Sequence, residues 1–188
     1  MKINTTRFGE LQVKNEDIIN FPEGLLGFET LAQFFVVDPG DSTLILWLQS
    51  IEDASIAFPI IEPKIFKPDY VAKLLPNDMN NVQLDNICDA KIYSILTIPS
   101  DITTMSANLK APIVINNNKK FARQIVLQDN KLSVKYDMYK ELKSYILAFS
   151  SSDSKRTTIG EPTAEEIKPA IEKRIHTSIR NNEPTRES

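Results

Sequence analysis

Residues 44–63, LILWLQSIEDASIAFPIIEP, decide the fold. Two apolar runs, 44–48 and 56–61, flank a short polar loop at 50–55. Each run is rich in Ile, Leu, Phe or Trp and is too short for an average helix, which predicts two strands joined by a turn. Both runs are nearly continuous rather than alternating, the pattern of strands buried on both faces or crossing a small closed barrel. Trp47 is the only tryptophan in the chain and is expected to anchor the core these strands share. Glu52 and Asp53 are adjacent carboxylates at the loop tip. Pro59 has no N–H to give to a ladder and argues for an edge strand at that point.

Upstream, residues 2–6 and 11–13 predict two short strands around Phe8-Gly9-Glu10, and residues 18–21 a third. The strand stops at Pro22-Glu23-Gly24-Leu25-Leu26-Gly27-Phe28, where Gly24 and Gly27 can take positive φ. Leu25, Leu26 and Phe28 are unusual in a turn and are expected to fold back and plug one end of the core. Residues 29–33 read as a helical turn and 34–37 as the next strand. Downstream, 69–75 reads as a short helix between Pro68 and Pro76, with 77–81 as loop. Cys88 beside Ile87 reads as a small buried hydrophobe. Residues 92–98, 103–109, 112–115, 122–127 and 132–136 follow as short strands with frequent turn signals, which point to a small sandwich or barrel. Residues 138–149 have helical spacing of apolar side chains.

The character changes at Ser150. Residues 150–154 have linker composition. Beyond them Thr163-Ala164-Glu165-Glu166 resembles a capping box, and Ile167, Ile171, Ile175 and Ile179 recur every fourth residue of a charged segment interrupted near Pro169. Such a narrow apolar stripe either docks on the domain or waits for a partner groove; a regulatory or partner-docking role is the expectation.

The totals bound the function. The 188 residues, 41% hydrophobic, suffice for one domain with a core plus an appendage. A formal net charge of −3 makes a poor general binder of nucleic acid. Residues 1–90 hold 14 Asp and Glu against 6 Lys and Arg, whereas 91–150 hold 4 against 9. The first half is thus a candidate acidic face for a basic partner, or simply a solvated surface. One cysteine fits a reducing cytosol, and no apolar run approaches the ~20 residues that cross a bilayer. A single histidine, His176, makes a His-based triad or multi-His metal site improbable. No catalytic constellation, metal site or cofactor motif is found, and elimination leaves a binding module.

Several blocks together resemble the FliW family of flagellar assembly factors. They are Phe21-Pro22-Glu23-Gly24-Leu25-Leu26-Gly27-Phe28-Glu29, Trp47-Leu48-Gln49-Ser50 with Ile51-Glu52-Asp53, and Ala57-Phe58. Residues 106–116, SANLKAPIVIN, and Arg123-Gln124-Ile125-Val126-Leu127 complete the pattern. The resemblance implies a mostly β, barrel-like, antiparallel-rich sheet with short helices, in a cytoplasmic, non-enzymatic regulator. It further implies binding of flagellin before export and, when flagellin is depleted, of CsrA, a small basic RNA-binding repressor of flagellin translation. The expected organisation is a FliW-like barrel domain at 1–136, a packed helix at 137–150, and a linker with a charged amphipathic helical tail at 151–188. Residues from about 139 onward have no counterpart in the pattern. The chain is expected to be a monomer when free, with no direct nucleic acid, membrane, metal or cofactor. Candidate partner contacts are Glu52, Asp53 and Glu62, with Asp85 and Asp89 as weaker ones. Gly24, Gly27, Trp47 and Pro112 are assigned to the fold, as are the polar motif positions Asn108 and Asn116, which serve backbone groups. The alternatives are a flagellin export chaperone without a translational role, or a hydrolase or ligand-binding barrel with a pocket lined by Trp47 and Phe58.

Overall fold

The computed structural model describes residues 1–40 and 44–145. Along the chain run β1 (Lys2–Thr5), β2 (Gly9–Gln12), β3 (Ile19–Asn20), β4 (Gln33–Val37), β5 (Leu46–Ser50) and β6 (Ala57–Ile61). Then come helix α1 (Pro76–Asn81), β7 (Ala90–Thr97), β8 (Ser106–Ala107), β9 (Ile113–Asn116), β10 (Phe121–Gln124) and β11 (Tyr136–Asp137). Residues 139–145 are helical up to the limit of the described range. The expected tail at 151–188, like residues 146–150, lies outside that range.

Seven strands close into a mixed barrel: β7, β6, β5, β4, β3, β10 and β9 pair in turn, and β9 pairs back onto β7. All these pairings are antiparallel except β3 with β10. The short β8 continues along β7 beyond β9, and β11 pairs with β8. β1 and β2 form a separate hairpin.

The unbroken apolar runs follow from closure, because both faces of β4, β5 and β6 are covered. Phe34, Leu48, Ile60 and Ile113 point into the barrel and are fully buried. The alternate residues Phe35, Val37 and Trp47 point outward and are sealed by Ile3 and Val13 of the hairpin. On another flank Ile61, Leu96 and Val114 are covered by Phe66, Tyr70, Met105, Met138 and Leu142. Each such side chain contributes about 1.5–3 kcal/mol on burial, so the outer layers matter as much as the interior.

One end of the barrel is plugged by the Pro22–Phe28 turn. Phe21 packs edge-on against Phe34 at 5.0 Å between ring centroids, and Phe28 against Phe58 at 4.9 Å. Leu25 is buried with them, whereas Leu26 faces solvent at 57% exposure.

The structure departs from the sequence reading at several points. Pro59 lies in β6, between β5 and β7, not on an edge. Ser50 N–H donates to Ile56 O, which places the bonded β5–β6 pairs at Leu48 and Leu46 and leaves Trp47 opposite Pro59 at a non-bonded pair. The β6–β7 ladder begins only at Ile60, so the missing donor breaks no paired rung. Residues 69–75 are not helical, and 77–81 are. Pro76 starts α1 rather than following a helix, with Leu75 extended before it and Asp78 accepting the Leu75 N–H at 2.9 Å. Residues 29–30 form a turn, 31–32 are irregular and Gln33 already belongs to β4, so no helix forms there. Cys88 is exposed, on a single 3-10 turn at Ile87–Asp89.

Candidate functional site

The β5–β6 loop is built from the inside. Gln49 is fully buried, and its Nε2 lies 3.0–3.4 Å from the carbonyl oxygens of Ser50, Asp53, Ala54 and Ile56. Ser50 Oγ accepts the N–H groups of Glu52 and Asp53, each at 3.1 Å. The hairpin tip closes over the outside, with Thr6 N–H donating to Ala54 O at 2.9 Å. Arg7 lies 4.1 Å from the centroid of Trp47, and Phe8 meets the same ring edge-on. Desolvation lowers the pKa of that guanidinium, yet it stays charged at any ordinary pH. Gln49 and Arg7 were not among the sequence candidates. A Gln-Ser pair closing an otherwise apolar strand was the available signal for the first.

The two loop carboxylates are committed to this scaffold. Glu52 Oε2 accepts the N–H of Ala32 at 2.6 Å and of Gln33 at 3.1 Å, which ties the loop to the start of β4. Asp53 Oδ1 accepts the hydroxyl and the N–H of Ser55 at 2.6 and 2.8 Å, and these bonds hold its pKa below the ordinary carboxylate value.

Glu62 stands at the other end of β6, five strand residues away, or about 16 Å. It is exposed and makes no hydrogen bond or ion pair among the described residues. Its charge adds to the burial that pushes the Tyr93 phenol up. Asp89 is equally exposed, and Asp85 pairs with Lys119 at 3.6 Å. The five candidate carboxylates therefore fall into two groups, Glu52 and Asp53 beside the plug, and Glu62, Asp85 and Asp89 toward the opposite end. The acidic first half is also partly neutralised by the later basic residues, at Asp85–Lys119 and at Glu23–Arg123, 2.7 Å.

The motif positions sit within the frame. Asn116 is buried; its Nδ2 donates to Val82 O and Gln83 O, and its Oδ1 accepts the N–H groups of Asn118 and Lys119. It thereby holds two turns that contain left-handed residues, Gln83 at φ 54° and Lys120 at φ 56°. Asn108 Oδ1 accepts the Ala111 N–H, and Pro112 O accepts the Ile125 N–H just before β9. Gly24 and Gly27 both have positive φ in the plug turn.

A pocket lined by Trp47 and Phe58 does not exist. Leu48 pairs with Phe58 and faces inward, so Trp47 points to the opposite side of the sheet. The end of the barrel away from the plug holds an open cleft of about 410 Å³ between Val36, Leu46, Tyr93 and Ile115, with Lys91 and Lys120 at its rim. Among the described residues no group of three His, Cys, Asp or Glu could hold a metal ion, and no helix is long and apolar enough to cross a membrane.

A family model described as "FliW protein" matches residues 2–138. The chain is 41% identical over 167 residues to a flagellar assembly factor FliW of Bdellovibrio bacteriovorus, covering 89% of this chain and 95% of that protein. That match is too long to lie within residues 2–138, so it includes part of the C-terminal extension. It is 39% identical over 145 residues to the FliW of Caldanaerobacter subterraneus subsp. tengcongensis, covering 77% and 97% of the two chains. A crystal structure of the flagellar assembly factor FliW superimposes with a TM-score of 0.69 at 31% identity, covering 73% of this chain and 96% of the other. Fold and relatives together place the chain among non-enzymatic flagellar assembly factors. It belongs to the FliW family.

Proposed function

We propose that this chain is a cytoplasmic switch that binds flagellin and, when flagellin is scarce, the basic repressor CsrA, so that flagellin supply controls flagellin translation. The observation that carries the reading is the pre-built acidic loop. Gln49 and Ser50 fix Glu52 and Asp53 before any partner arrives, which lowers the ordering cost of association. A fixed negative surface complements a basic partner and opposes RNA phosphates brought by the same partner. Glu62 and Asp89, whose carboxylates are uncommitted, are assigned to partner contact as well, on a separate patch, with Asp85 beside them.

Capture of CsrA from cells with and without flagellin tests the reading. Flagellin should displace CsrA, and capture should weaken as salt rises. Asp53→Asn and Glu62→Gln are the informative variants, since neither disturbs a β4 contact. Undiminished CsrA capture by both, across several salt concentrations, removes the acidic surface from the mechanism. Binding of flagellin but never of CsrA leaves an export chaperone instead.

A further inference from the structure

We propose that the groove beside β7 is the seat of the chain's own residues 163–179, docked through Ile167, Ile171, Ile175 and Ile179. The inference does not depend on which partner the acidic loop binds.

The groove arises because β6 leaves β7 after the Ile61–Ser94 pair. What remains is a recess of about 470 Å³ between the non-helical segment Tyr70-Val71-Ala72 and β7 residues Ala90-Lys91-Ile92, with Ile87 and Cys88 along it. Its walls expose large apolar side chains, Val71 at 62% and Ile87 at 41%. Apolar surface concentrated in one recess and rimmed by Glu62, Lys64 and Lys91 marks a docking site rather than scattered exposure.

The occupant is argued from where the chain goes. Met138 and Leu142 belong to the same hydrophobic cluster as Tyr70 and Ala72, so the described chain ends on the flank of the barrel that carries the groove. Residues 146–188 follow. The spacer 146–162, treated as a coil, reaches about 20–25 Å, enough to return to that flank. With Pro169 at the start of a helix, Ile171, Ile175 and Ile179 form one apolar edge about 12 Å long, and Ile167 precedes it. Lys168, Glu172 and Arg174 flank it, and both signs also occur on the groove rim, so neither surface repels the other. The Bdellovibrio relative shares part of this extension, as its coverage shows. Docking also places the segment against Glu62, one of the carboxylates assigned to partner contact, and makes it an internal competitor there.

Cys88 lies in the groove and is the chain's single cysteine, so its labelling by a chromogenic disulfide reports occupancy directly. With a tethered effective concentration of about 1 mM and an intrinsic Kd of about 0.1 mM, the docked form protects the thiol about tenfold. The full-length chain is compared with Ile171→Asp/Ile175→Asp and, separately, with Val71→Asp on the exposed wall. Labelling about tenfold faster in both variants, each still unfolding in one cooperative transition with a midpoint lowered only by the lost docking, is the expected result. Equal rates in all three proteins overturn the proposal. So does protection that disappears on hundredfold dilution of the native chain, because the occupant is then a second copy.

Discussion

Replacing Gly24 by alanine should cost far more than the same change at Gly27, three residues away in the same turn. At Gly24, φ is +65° and an added Cβ would stand 2.5 Å from Phe28 O, 2.6 Å from Glu29 Cα and 2.8 Å from Glu29 C. All three are backbone atoms, so relief requires the turn to open. Opening it strains the Phe28 N–H bond to Leu25 O, at 2.7 Å, and lifts Leu25 and Phe28 from the plug. The left-handed conformation alone costs a non-glycine residue about 1–2 kcal/mol, and partial loss of Leu25 burial adds about 1.5–3 kcal/mol. The expected destabilisation is therefore about 2.5–5 kcal/mol. At Gly27, φ is +83° but nothing lies within 4 Å of the added Cβ. Only the backbone term remains there, and it is partly offset by the stiffer unfolded chain, for a net of about 1 kcal/mol. Urea unfolding followed by Trp47 fluorescence measures both. With m of about 2 kcal/mol/M, the midpoint should fall by about 2 M for Gly24→Ala and by about 0.5 M for Gly27→Ala. Equal shifts would refute the claim that close backbone approach at the plug, rather than positive φ as such, fixes this turn.

Three further outcomes are expected. Asn116→Ala strands Val82 O, Gln83 O and two backbone N–H groups at two turns, and should lower stability by about 2–4 kcal/mol by urea titration, with Asn116→Asp restoring only the accepting half. Tyr70 donates to Leu109 O at 3.0 Å, and burial pushes its phenol up to about 12. The fold thus favours the neutral form: this stability is complete below pH 10 and drains as pH rises toward 12, by on the order of 2 kcal/mol, and Tyr70→Phe should flatten that part of the pH–stability curve. Glu52→Gln keeps an acceptor for Ala32 and Gln33 N–H while removing the charge, so CsrA capture should fall with a midpoint close to native, whereas Glu52→Ala should lower both.

Much of the barrel was legible because its strongest signals are local. The two apolar runs around 50–55 had no other use than strands, and the glycine-bounded hydrophobes after Pro22 had to fold back somewhere. What stayed hidden depends on closure. In a barrel covered on both sides, continuous burial erases the alternation that assigns faces, so Trp47 and Phe58 looked like neighbours when the sheet separates them. Trp47 does anchor a core, but the outer one beneath the hairpin. Pro59 read as an edge because ladder parity, which spares its missing donor, depends on register with β5. Pro76 fitted the end of one helix as well as the start of another, and only the Leu75–Asp78 bond decides between them. Cys88 was misplaced since its neighbour Ile87 is itself exposed, lining the groove rather than the core.

The candidate carboxylates show how far composition can go. The excess of acid in the first half is real, but the topology distributes it between two ends of a barrel and sets the basic residues of β10 and its hairpin against part of it. A uniform acidic face would bind basic partners with little discrimination. Two patches about one strand length apart, one rigid and hydrogen-bonded into the β4 start, the other with Glu62 and Asp89 uncommitted and beside an apolar recess, offer more. Charge at the rigid patch can steer an encounter, while apolar contact at the recess can decide how long it lasts. On that division, neutralising Asp53 should mainly slow association and flatten its loss with salt. In the Ile171→Asp/Ile175→Asp background, which leaves the recess open, altering Val71 or Ile87 should mainly change dissociation. Surface-captured protein exposed to CsrA or flagellin separates the two rates, and a partner whose dissociation ignores Val71 and Ile87 makes no use of the recess.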